Sequence, residues 1–118
     1  MKKIFQILII VCAGLVMNSC YYDDLQEEVI PIITDEVSFA TDIQAIFNAN
    51  NCMECHNTDR NPDLRVGFAY NSLVPEYVTA NDAEASLLYN KLVGGHRNLG
   101  TEPKALIKAW IDQGAKNN

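Results

Sequence analysis

The chain has 118 residues, with nine lysines and arginines against 15 aspartates and glutamates and a formal net charge of −6. That length holds one domain at most. The acidic balance excludes the basic footprint of a nucleic-acid-binding protein, so no nucleic-acid partner is expected.

The chain opens MKKIFQILIIVCAGLVMNSC. Lys2 and Lys3 make a basic start, Ile4 to Met17 is apolar apart from Gln6, and Ser19 precedes Cys20. This is the layout of a secretory signal, and its apolar run falls short of the ~20 residues a membrane span needs. A small residue before a cysteine, just after the apolar run, resembles a bacterial lipobox. The resemblance implies a lipoprotein signal peptide over residues 1–19, cleavage before Cys20, and lipidation of Cys20. The alternatives are an uncleaved anchor and a plain secreted protein. Two or more acyl chains anchor a protein stably where one does not. Cleavage removes two of the nine basic residues and leaves 99 residues, with seven basic against 15 acidic side chains. Anionic head groups repel such a chain, so the lipid has to do the holding.

Residues 20–36 are expected to form an acidic tether. The stretch YYDDLQEEVIPIITDE, residues 21–36, carries six acidic side chains and one proline. It has no clean helical or strand period, which suits an extended spacer. An acidic run just after a lipidated cysteine also resembles the surface-export signal of Bacteroidetes lipoproteins.

Residues 37–118 form the expected domain. Thr41 and Gln44 fit a capping box. Phe39, Ile43, Ile46 and Phe47 share one helix face, which predicts a helix over about 42–49. Asn50 and Asn51 lead into Cys52. A loop runs to Pro62, then a short apolar segment spans Leu64 to Val74, and Pro75 interrupts it. Asn81 and Glu84 predict the start of a second helix carrying Leu87, Leu88 and Leu92, ended by Gly94 and Gly95. Thr101, with Pro103 in the first turn, opens a terminal helix. Its apolar face holds Leu106, Ile107, Trp110 and Ile111, and Gly114 stops it. No segment reads as a paired strand. The expected fold is a small all-α domain of three to four short helices with long connections. Trp110 is expected to pack on Phe47 and Ile43. Such a core is thin, and domains of this size often need a staple. A large buried cofactor would supply the missing apolar surface.

Cysteine usage narrows the options. Cys12 leaves with the signal and Cys20 takes the lipid, so only Cys52 and Cys55 remain. They stand in NCMECHNTD, residues 51–59, as a C-x-x-C-H motif completed by His56. Covalent haem c needs two thiols, one for each vinyl group, and a neighbouring histidine as proximal iron ligand; C-x-x-C-H is the attachment pattern. Maturation takes place outside the cytoplasm, in keeping with an exported chain. Two other readings stay open. Cys52, Cys55, His56 and His96 form a possible zinc set, although adjacent Cys55 and His56 are awkward as joint ligands of one tetrahedral ion. A thioredoxin-like dithiol wants a βαβ context, and none is visible.

The order of helix, C-x-x-C-H, loop, middle helix ending in glycines and terminal amphipathic helix resembles a class I c-type cytochrome. More closely, the chain is similar to the small mono-haem lipoprotein cytochromes c of the Bacteroidetes type. The matching pieces are CYYDD, NNCMECH, DLRVGFAYNSLV, SLLYNKLVGG and ALIKAWIDQGAKNN. The resemblance implies one covalent haem on Cys52, Cys55 and His56, a cytochrome c-like fold, and single-electron transfer between redox partner proteins rather than enzymatic catalysis. It also implies an exported lipoprotein of a Gram-negative bacterium, on the periplasmic face of a membrane or the outer-membrane surface.

The family's methionine ligand is missing. The loop after the middle helix reads GGHRNLGTEP, and the only methionine beyond the signal is Met53, inside C-x-x-C. His96, the only other histidine, is the favoured distal iron ligand. The alternatives are an open or water-filled site, Lys91, or Lys104. Arg60, Arg65 and Arg97 are candidates to meet haem propionates. Leu64, Phe68, Leu99 and Trp110 are candidates for contact with the haem edge. Pro62 is the candidate to offer its carbonyl to the far nitrogen of His56. An open distal site favours a haem sensor or peroxidase-like protein instead of an electron carrier. A zinc module that binds other proteins is the third reading.

Overall fold

A computed structural model describes Met1, Lys3, Ile4 and residues 29–118. The rest of the expected signal, Cys12, Cys20 and residues 21–28 of the expected tether lie outside the described residues. Residues 29–38 carry neither helix nor strand.

The first helix opens with a wide π-type turn, Phe39–Ile43, and continues as α1, Gln44–Ala49. It starts earlier than the Thr41–Gln44 pattern predicts, because Ser38 is the cap. Its hydroxyl accepts from the Thr41 N–H at 3.4 Å, and Asp42 answers by accepting the Ser38 N–H at 2.8 Å. In the usual reciprocal cap the acid stands three residues on. Here it stands four on, and the wider turn, with the Ile43 N–H reaching back to the Ser38 carbonyl at 3.2 Å, brings it into range. Gln44 is free of capping duty and buries its side chain.

The apolar segment after the motif yields one short helix, α2, Ala69–Leu73. The next, α3, runs Leu87–Val93 behind Ser86. It begins later than Asn81 suggests. Asn81 adopts a left-handed φ of 66° and donates its N–H to the Ile111 carbonyl, so it serves a loop rather than a cap. The terminal helix, α4, spans Thr101–Asp112 and stops at a left-handed Gly114, as expected from the sequence. Two short 3-10 turns, Cys52–Glu54 and His96–Asn98, complete the helical elements. Among the described residues there is no strand. The chain is all-α.

The core gathers Phe39, Ile43 and Phe47 with Leu73, Leu92, Ile107, Trp110 and Ile111. Trp110 is fully buried and packs on Phe39, with ring centroids 5.2 Å apart, and on Tyr70 at 6.4 Å. The indole N–H donates to the Lys116 carbonyl at 2.9 Å, and the Tyr70 hydroxyl donates to the Ala115 carbonyl at 2.9 Å. The aromatic polar ends are thus satisfied inside the fold, as buried tyrosine and tryptophan require. Phe47 shares this core with Trp110 and Ile43 and also lines a cavity.

Candidate cofactor site

The end of α1 sets the position of the C-x-x-C-H segment. Asn51 takes a left-handed φ of 52° and turns the chain sharply out of the helix into the turn that starts at Cys52. The His56 N–H donates to the Cys52 carbonyl at 2.9 Å, which holds the histidine one turn beyond the first cysteine. Downstream, the Leu64 N–H donates to the His56 carbonyl at 3.1 Å and closes the loop. Buried Gln44 braces that closure from α1, donating to the Leu64 carbonyl at 2.9 Å.

The His56 Nδ1 lies 3.2 Å from the Pro62 carbonyl oxygen, the contact proposed from the sequence. A carbonyl only accepts, so this bond requires the hydrogen on Nδ1. The lone pair is then on Nε2, which is the state of a metal-ligating imidazole oriented by a backbone carbonyl.

His56 lines a cavity of about 460 Å³. That volume falls within the range of about 300–1,000 Å³ typical of small-molecule and cofactor sites. Its walls are apolar: Phe47 of α1, Leu73 of α2, Leu88 and Leu92 of α3, with Leu64 and Leu99 from the flanking loops. Both Cys52 and Cys55 reach it, and both are unpaired thiols. Burial pushes the Cys52 thiol above its ordinary value, and the Arg97 charge offsets part of that rise. Arg60, Lys91 and Arg97 supply cationic lining, and no aspartate or glutamate contributes to it.

His96 also lines the cavity. Its ring centroid is 5.9 Å from that of His56, with the planes at 77°. A metal–imidazole nitrogen bond is about 2 Å long, so two such bonds in line, with the nitrogens roughly 1 Å from their ring centres, put the centroids about 6 Å apart. The spacing fits two imidazoles sharing one metal and equally fits an edge-to-face ring contact, which spans about 4.5–7 Å. Zinc needs more. Among the described residues, no group of three or more His, Cys, Asp and Glu side chains converges to hold a metal ion. The four-ligand set of Cys52, Cys55, His56 and His96 is not gathered as structural zinc would gather it.

The other candidates divide. Leu64 and Leu99 line the cavity, whereas Trp110 is sealed in the core and Phe68 is 56% exposed. Arg65 is tied by Nε and Nη2 to Asp63 and lies over the Phe68 ring, away from the cavity. Its hydrogen bonds hold the Asp63 carboxyl below the usual carboxylate value. Lys91 lines the cavity and Lys104 does not. Sequence reasoning missed Tyr77, Leu73 and Phe47 as wall residues. Apolar spacing marks a side chain as buried but does not say whether protein or a ligand covers it.

This donor set suits a haem: apolar walls for the macrocycle, two thiols at one side, an oriented imidazole, and cationic side chains for two carboxylates. Comparisons with protein-family models, curated proteins and solved structures return no match to this chain.

Proposed function

We propose that residues 37–118 form a cytochrome c-like domain with one covalent haem c and that the protein passes single electrons between redox partners. Cys52 and Cys55 hold the thioethers, His56 is the proximal iron ligand, and His96 is the distal one. The observation that carries the reading is the His56–His96 pair, 5.9 Å apart on one apolar cavity that both motif cysteines also line.

When bound, the haem supplies one-electron exchange at its iron. The remaining work falls to the chain. The Pro62 carbonyl fixes the His56 proton on Nδ1 and leaves Nε2 to bind. Phe47, Leu73, Leu88 and Leu92 exclude water and keep the site dry. Arg60 and Arg97 offer positive charge to the propionates. Histidine in place of methionine lowers a haem potential, so a potential below that of His/Met cytochromes c is expected.

The protein is further proposed to be an exported lipoprotein held to a membrane through Cys20, on the periplasmic face or the outer-membrane surface. Among the described residues, no helix is long and apolar enough to cross a membrane. Cys20→Ala is expected to move the protein from the membrane fraction to the soluble exported fraction; a variant that stays membrane-bound contradicts the anchor.

Visible spectra of the full chain, matured beside c-type haem assembly proteins, test the electron-transfer reading. Low-spin spectra in both oxidation states and slow carbon monoxide binding support a filled distal site. The competing sensor or peroxidase-like reading draws on the exposure of His96. It predicts a high-spin spectrum and rapid carbon monoxide binding.

A further inference from the structure

The turn that carries His96 is bent in a way that needs holding. Gly95, Arg97 and Asn98 have φ of 89°, 64° and 45°. Two of these are not glycine, and such residues stay in the left-handed region only where their surroundings fix them. Residues 93–98 are all exposed, so burial does not fix the turn.

A polar tie does. Arg97 Nε donates to the Asn50 carbonyl oxygen at 2.8 Å, across 47 residues of sequence. Asn50 is the residue that ends α1. Its carbonyl is one of the acceptors a helix leaves without an internal partner, and it lies at the negative end of the helix, where a cation is favoured. Asn50 is itself anchored: its N–H and its side-chain amide both donate to the Ile46 carbonyl, at 3.1 and 2.8 Å. The Cys52 sulfur lies 4.0 Å from the same Asn50 carbonyl. One backbone oxygen thus receives the distal turn and sits beside the first thiol of the attachment motif.

From this geometry we infer that Arg97 is a positioning residue that latches the distal turn to the C-terminal end of α1 and holds His96 opposite His56. The inference rests on the haem reading with His96 as the distal ligand. Arg97 touches no reacting atom in this role. It sets how often His96 stands over the iron and therefore how readily an outside ligand displaces it. A ligand bound only in one state of a turn is weakened by the fraction of time the turn spends elsewhere.

The test is carbon monoxide association with the reduced holoprotein, read beside the ferric spin state, in the wild type, Arg97→Ala and Arg65→Ala. Arg65→Ala removes the same charge from a side chain that lies away from both the cavity and the tie. Arg97→Ala is expected to bind carbon monoxide about tenfold faster, the scale of one lost hydrogen bond from a charged donor, and to gain high-spin character. Arg65→Ala is expected to keep the wild-type spin state. Equal rates in the wild type and Arg97→Ala overturn the latch and leave the haem reading standing. Equal acceleration in both variants makes the effect one of charge and also overturns it. A high-spin wild type removes His96 as ligand and the latch with it, while a wild type without haem fails the underlying reading first.

Discussion

The two sides of the cavity are built differently. On the His56 side, backbone and side chains interlock. His56 is bonded through its N–H, its carbonyl and its ring, and buried Gln44 supports the loop closure from beneath. Asn57 donates to the Met53 carbonyl and accepts from the Asp59 N–H. On the His96 side, an exposed turn with left-handed residues is tied to α1 by one arginine. The contrast teaches that a braced histidine and a lightly tied one share the cavity. On the proposed haem reading, the proximal ligand is expected to be kept and the distal one to be given up first.

The largest effect is expected on the proximal side. Replacing both Cys52 and Cys55 with alanine should abolish acid-stable pigment entirely, read by haem staining of a denaturing gel. On the distal side, His96→Ala should leave covalent attachment intact but turn the spectrum high-spin. Carbon monoxide should then bind faster than in Arg97→Ala, because the competing ligand is gone rather than loosened. An unchanged low-spin spectrum removes His96 from the iron and breaks the comparison.

Gln44→Leu should cost about 1–3 kcal/mol of stability, because the buried Leu64 carbonyl loses its donor. Denaturant midpoints measure it, and the distal readouts should barely move. The smallest effect concerns the support of α3. Burial raises the Asp112 carboxyl, but the Lys108 ammonium and the Ala83 N–H outweigh it and leave it below its ordinary value. A group lowered in the fold stabilises above the ordinary carboxylate value of about 3.9. That contribution is lost as pH falls through the lower folded value. Asp112→Asn should therefore lose about 0–1 kcal/mol at pH 7, with the difference from wild type shrinking below pH 4. Its Ala83 contact anchors the chain leading into α3, so any change should appear on the distal side.

The His56 side of the cavity was readable in the sequence and the His96 side only in part. Two thiols and a histidine at fixed spacing single out a candidate site, and the structure sets all three on one cavity. The terminal helix was equally plain from Pro103, its apolar period and Gly114. The starts of the other helices were less so. Ser38, not Thr41, caps the first, because a wider turn moved the acid one residue on. Asn81 resembles a cap but is spent on the Ile111 carbonyl. The Arg97–Asn50 hydrogen bond had no signature at all. It joins residues 47 apart in the chain, and an arginine in a glycine-rich turn reads as surface until its partner carbonyl is known.

The most direct measurement is mass spectrometry of the peptide carrying Cys52 to His56, from the full chain matured beside c-type haem assembly proteins. The account predicts one haem joined through both thiols on that peptide, with the iron in the protein sample at one per chain. Free thiols, a Cys52–Cys55 disulfide, or bound zinc, while a control cytochrome matures normally in the same cells, would contradict it.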